Sequence, residues 1–154
     1  MFYRDISLSD AELKFDAGKA GLFEGYASTF GNVDEYNDTI VAGAYKDTLA
    51  RRKPMMFYGH NPGRVIGKWL HLAEDAKGLH VVGELTPGNS EAQDVYASMK
   101  HGALSGMSIG FRVPKGGSEE KDGRRYLKQI DLIEVSVVSL PADHSAQVNS
   151  VKSA

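Results

Sequence analysis

The sequence predicts a mainly β fold with flanking helices: an α+β domain built as a small closed or nearly closed β-barrel of seven strands, with helices outside it. Three observations predict it. Seventeen glycines interrupt short apolar runs along the chain. Segments that read as strands outnumber those that read as helices, about seven to two. And 154 residues make one domain, 1–154, large enough to bury a core without staples. That core is expected over about residues 10–147, with a short C-terminal tail.

Composition removes several classes of function. The formal net charge is −2 and the isoelectric point about 6.2, so nothing favours nucleic acid or a membrane surface as partner. The chain has no cysteine, which excludes disulfides, a thiol nucleophile and cysteine-ligated zinc. The start, MFYRDISLSD, lacks the basic residues and apolar run of a signal peptide. No apolar run approaches the ~18 residues of a membrane span.

The elements follow in order. Glu12–Asp16 and Leu22–Thr29 flank the glycine-bearing loop 17–21 as a hairpin. GNVDEYND (31–38) reads as a solvated loop; its acids Asp34, Glu35 and Asp38 do not have EF-hand spacing for calcium. Thr39–Val41 is short and apolar. Ala44–Arg52 suits a helix with Tyr45 and Leu49 on one face, basic residues at its C-terminal end and Pro54 beyond it. Met55–Tyr58 is a strand running into the turn GHNPG (59–63). Val65–Leu72 and Leu79–Leu85 are strands. Ser90 opens the clearest helix, with Gln93 completing a capping-box pattern and Gly102 as its C-cap. Gly102–Val113 is the central strand, 115–125 a charged surface loop, and Tyr126–Leu140 one long strand ended by Pro141.

The chemistry is read around the central strand. Side chains alternate along a strand, so Met107, Ile109, Phe111 and Val113 share a core-like face. Ser108 stands on the other face with Gly106 and Gly110 two residues to either side. Strand glycines usually mark a bulge or the close approach of another chain or ligand, and a hydroxyl on bare backbone suits a nucleophile with a peptide lying across it. The same pattern also suits a tightly packed strand with an incidental serine. G-x-S-x-G is met at 106–110, but no helix follows it, so a nucleophile elbow is rejected. A serine needs a base. Of five histidines, His71 and His80 sit within strands, His101 at a helix end and His144 in a turn. His60 lies where an apolar strand breaks into a glycine-proline turn. Glu134 is a carboxylate in the apolar strand IDLIEVSVV and needs a partner: a cation such as Arg112 or Lys128, or a histidine that it orients.

MFYGHNPGRVIGKW, GALSGMSIGF and IDLIEVSVVSLPA, in this order, resemble the tailed-phage prohead proteases, capsid-maturation serine proteases distantly related to herpesvirus assemblins; DTIVAGAYKDTL fits the same pattern. The resemblance covers roughly residues 20–150. It implies an assemblin-type barrel surrounded by helices and a single protease domain. It implies a serine endopeptidase with Ser108 as nucleophile, His60 as base and Glu134 as third member, with Ser105 and Asp131 as rivals. On simple alternation Asp131 falls on the opposite face from Glu134. The oxyanion hole is expected from backbone N–H groups after Val138, in the SLPAD turn. The implied substrates are capsid and scaffold protein segments and the protease itself, with autocleavage near Lys152-Ser153-Ala154. The implied setting is the host cell cytoplasm, inside the assembling prohead, and the implied state a homodimer or higher homo-oligomer. No cofactor or metal is implied. The competing function is a non-catalytic β-barrel module that binds capsid or scaffold protein.

Overall fold

The computed structural model describes residues 1–34, 36–104 and 106–139. The chain folds as β1 (Phe2–Ser7), β2 (Lys14–Phe15), β3 (Leu22–Thr29), β4 (Asp38–Ile40), α1 (Lys46–Arg51), β5 (Met55–Tyr58), β6 (Asn61–Glu74), β7 (Gly78–Leu85), α2 (Ser90–His101), β8 (Gly106–Arg112), β9 (Ser118–Lys121), β10 (Arg124–Leu127) and β11 (Asp131–Val138).

The mainly β class is observed, but the closed seven-stranded barrel is not. Eight strands hydrogen-bond in the order β1-β8-β11-β5-β6-β7-β3-β2, an open series with β1 and β2 at its edges, and β4-β10-β9 form a second sheet. The large sheet curls, so that β3 packs against β1 and β8 across the opening. The additional strand is β1. Its apolar and polar residues do not alternate, so the sequence shows no strand before residue 12, yet all six of its residues pair antiparallel with β8.

The concave side of the sheet carries the core. Met107 and Ile109 from β8, Val135 and Val137 from β11, Met56 from β5 and Trp69 from β6 are all buried there. Fully burying side chains of this size contributes about 1.5–3 kcal/mol each. Trp69 meets Phe23 edge to face, with ring centroids 5.6 Å apart. Gly83 makes room for them: a Cβ there would lie 2.7 Å from the Trp69 ring and 2.9 Å from that of Phe23.

Three local readings are corrected. The loop 115–125 contains most of a hairpin: Lys121 pairs with Arg124 around Asp122-Gly123, both at positive φ, the type I′ turn that Asp-Gly favours. The strand Ser118–Lys121 has no apolar residue, which hides it from a hydrophobic pattern. The proposed long strand 126–140 is two, β10 in the small sheet and β11 in the large one. The cap of α2 is Asn89, whose side chain accepts from the Ala92 amide, rather than Ser90. The 31–38 segment is also less solvated than expected. Asp38 is 5 % exposed and takes a two-point contact from Arg125, at 2.8 and 2.7 Å. Glu35, Ser105, the SLPAD turn beyond Ser139, His144 and the autocleavage segment lie outside the described residues.

Two features aim the functional side chains. The first is the β5–β6 connection. Tyr58 pairs with Asn61, so only Gly59 and His60 form the loop, at φ 61° and 60°. A two-residue turn with both residues left-handed is type I′. Non-glycine residues are uncommon in that conformation, histidine being one of the few enriched there, and backbone held in it clusters at functional sites. The expected GHNPG turn is thus shorter than it reads, and Asn61, Pro62 and Gly63 begin β6. The second is a bulge in β11 between Leu132 and Glu134. It lets Leu132 reach the core opposite Phe111 and still turns Glu134 to the other face, opposite Gly110. Thr48 of α1 accepts the Leu132 amide at 3.0 Å there.

Candidate active site

Register places the site in two neighbouring rows across the sheet. Residues directly opposite one another share a face, with Cβ atoms about 4.5–5.5 Å apart. One row runs Tyr3 (β1), Gly110 (β8), Glu134 (β11) and Met55 (β5). The next runs Asp5, Ser108, Ser136 and Phe57. The rows are two residues apart along each strand, about 7 Å. The type I′ turn carries His60 over them from the end of β5, tied down by the Gly59 amide, which donates to the Val137 carbonyl at 3.0 Å.

Glu134 is 2 % exposed, and a buried carboxylate must be paired or hydrogen-bonded. Among the described residues its carboxylate meets two groups. Oε1 bonds to His60 Nδ1 and accepts the Ser136 hydroxyl at 3.0 Å. Ser136 Oγ in turn accepts the His60 backbone N–H at 3.2 Å. Carboxylate, hydroxyl and the histidine's backbone and ring therefore form one closed ring of contacts. With Nδ1 engaged, Nε2 is the nitrogen left for chemistry. The cation reading of Glu134 is not met: Lys128 pairs with Glu119, and Arg112 stands opposite Asp131 in the ladder.

Gly110 accounts for half of the glycine strip. A Cβ on it would lie 2.7 Å from Glu134 Cγ and 3.1 Å from Cδ. The carboxylate side chain lies across the bare backbone of β8, so the close approach the glycines announce is Glu134. Ser108, one row on, is fully buried, and its Oγ has no hydrogen-bond partner among the described residues. A buried orphan hydroxyl is rare enough in native proteins to need a reason.

Of the sequence candidates, Ser108, His60 and Glu134 are thus gathered on one side of one sheet, with direct bonding between His60 and Glu134. Asp131 is drawn elsewhere. The bulge reverses the alternation that set it on the opposite face, but Arg51 holds its carboxylate at 2.6 Å, with Arg52 at 3.6 Å. Two contributors escape a sequence reading. Ser136 is signalled only by its i+2 spacing from Glu134. Tyr3, whose ring centroid lies 4.2 Å from that of His60, has no signal at all.

Comparisons with known proteins identify the family. Residues 8–154 match the family described as caudovirus prohead serine protease. The chain belongs to that family. It is 44% identical over 155 residues to the prohead protease of Enterobacteria phage HK97, covering 97% of this chain and 69% of the relative. It is 32% identical over 133 residues to the prohead protease of Escherichia phage T5, covering 84% of this chain and 62% of the relative. The chain therefore spans about two thirds of the length of these two family members. The solved capsid assembly protease of bacteriophage T4 superposes with a TM-score of 0.55 at 13% identity, over 78% of this chain and 82% of that one, a likeness of fold. The family membership makes the serine-hydrolase reading of the two rows the one to pursue.

Proposed function

We propose that this chain is the serine endopeptidase that processes capsid and scaffold segments, and itself, inside the assembling prohead in the host cell cytoplasm. Ser108 is the nucleophile, His60 the general base and Glu134 the group that orients and stabilises the imidazole. The observation that carries the reading is the buried Glu134 bonded to His60 Nδ1, one row from Ser108. That arrangement holds the ring in the tautomer with a free Nε2.

The steps follow acyl transfer. Ser108 Oγ attacks the peptide carbonyl carbon as its proton passes to His60 Nε2. The carbon–nitrogen bond breaks and the amine leaves with that proton. Water, deprotonated by His60, then cleaves the acyl ester and frees Ser108. Glu134 stabilises the imidazolium in both halves without taking the proton. An oxyanion hole is required, and the backbone N–H groups after Val138 are our assignment for it. Ser108 is buried without a bond to the base, so closure of the Ser108–His60 contact belongs to substrate binding or to assembly of a homodimer or larger oligomer. Catalytic hydrogen bonds commonly tighten only in the complex. We read the curled sheet as an assemblin-type barrel left open between β1 and β3.

The test is Ser108→Ala on a capsid-segment peptide. Turnover falls about 10³-fold or more with the fold intact. A folded variant that keeps most of its cleavage overturns the nucleophile. A processing reaction indifferent to Ser108, His60 and Glu134 alike favours the non-catalytic binding module.

A further inference from the structure

We infer that Tyr3, at the start of the chain, is a positioning residue for the base. The inference rests on the reading of His60 as that base. Three observations lead to it. First, β1 adds to the edge of the sheet beside the nucleophile strand, in a register that sets Tyr3 opposite Gly110 and Asp5 opposite Ser108. Tyr3 thereby stands in the same row as Glu134, on the side of Gly110 away from it. Second, the Tyr3 ring lies against the His60 ring, with centroids 4.2 Å apart and planes inclined by 49°. Third, His60 sits at φ 60° on a two-residue turn, with its side chain 22% exposed. Bonds to Glu134 and Ser136 fix the ring's Nδ1 edge and its backbone, and neither stops the ring from swinging about that edge.

Tyr3 supplies the missing restraint by covering a face of the imidazole. Gly110 contributes by having no side chain, since a Cβ there would press on Glu134 and lie 3.1 Å from Met1 Cε. The N-terminal strand therefore completes the site from one side while the type I′ turn completes it from the other. The phenol hydroxyl has no part in this, which separates a ring-packing role from a hydrogen-bonding one.

The experiment compares Tyr3→Phe, Tyr3→Leu and Tyr3→Ala in the full chain, with circular dichroism as the check on folding and Ser108→Ala run alongside. Kinetics on a capsid-segment peptide give kcat and KM. The expected result is Tyr3→Phe within about 3-fold of the parent, and Tyr3→Leu and Tyr3→Ala lower in kcat by about 10- to 10²-fold, the scale of a misplaced catalytic group. KM stays nearly unchanged. Tyr3→Leu keeps an apolar strand residue, so it reports even where Tyr3→Ala does not fold. Parental kcat in folded Tyr3→Leu overturns the inference. So does a loss confined to KM, which makes Tyr3 a substrate contact, and so does a loss in Tyr3→Phe equal to that in Tyr3→Leu. Cleavage that persists in Ser108→Ala refutes instead the underlying assignment of the catalytic serine.

Discussion

Gly110 and Gly83 lie in one sheet with three strands between them and would read alike in sequence, each a glycine inside a strand. Both are glycine because a neighbour's side chain occupies the space of a Cβ, at 2.7 Å in each case. The occupants differ in kind. Over Gly83 lie the Trp69 and Phe23 rings, with Met56, in a wholly apolar contact. Over Gly110 lies Glu134, buried, bonded to His60 and Ser136. The β6–β7–β3 region uses its room to pack, and the β1–β8–β11–β5 region uses the same device to lower a carboxylate into the sheet. A strand glycine announces a close approach; only the third dimension says whether it concerns stability or chemistry.

Substitutions can break that comparison. The largest expected effect is that of Glu134→Gln. It keeps the shape but removes the charge facing the imidazolium and offers a donor where Nδ1–H needs an acceptor, so kcat drops by about 10³- to 10⁴-fold while the thermal midpoint stays close to the parent's. Steady-state kinetics with a melting curve check both halves. Next comes the matched pair Gly110→Ala and Gly83→Ala. In Gly110→Ala the new methyl displaces Glu134, and activity per folded molecule falls about 10²-fold. In Gly83→Ala the methyl strains an overpacked core at a cost of about 1–3 kcal/mol, with the activity of the folded fraction unchanged. Equal losses of activity in both variants would erase the distinction between the two regions.

The smallest effect concerns a buried hydroxyl with no proposed catalytic role. Tyr45 is fully buried, and among the described residues its OH lacks a hydrogen-bond partner of good geometry, as does the nearby Ser28 Oγ. Burial pushes its phenol pKa up. A raised pKa means the folded state holds the proton longer than the unfolded chain. The associated stability is present below the usual tyrosine value of about 10 and is lost as pH rises above it. Tyr45→Phe is therefore neutral to about 1 kcal/mol stabilising at pH 7 and less sensitive to alkali, as urea titrations at pH 7 and 10.5 would report. Ser108 is the contrasting orphan: removing its hydroxyl costs activity rather than stability.

Much of the candidate site was legible because it depends on local patterns. Alternation singled out Ser108 between glycines, an apolar strand breaking into a turn singled out His60, and a lone carboxylate in an apolar strand singled out Glu134. The parts that were not legible depend on register. Simple alternation put Leu132 and Glu134 on one face, and the bulge between them separates the two. β1 gains its place from pairing with β8 rather than from its own pattern, so Tyr3 could not be tied to His60. The β9–β10 hairpin shows the opposite failure: Asp122-Gly123 is a strong turn signal, but the strand before it, Ser118–Lys121, has no apolar residue and does not register as a strand.

The central claim is that Ser108 and His60 act as one unit, and the most direct measurement is a kinetic double-mutant cycle. The kcat values of Ser108→Ala, His60→Ala and the double variant are compared with the parent's on one peptide. Groups that share a single proton transfer give a double variant about as slow as either single one, each down by about 10³-fold or more. Losses that multiply, leaving the double variant far slower than both, would mean that the two side chains act separately, and the convergence proposed for the two rows of the sheet would be contradicted.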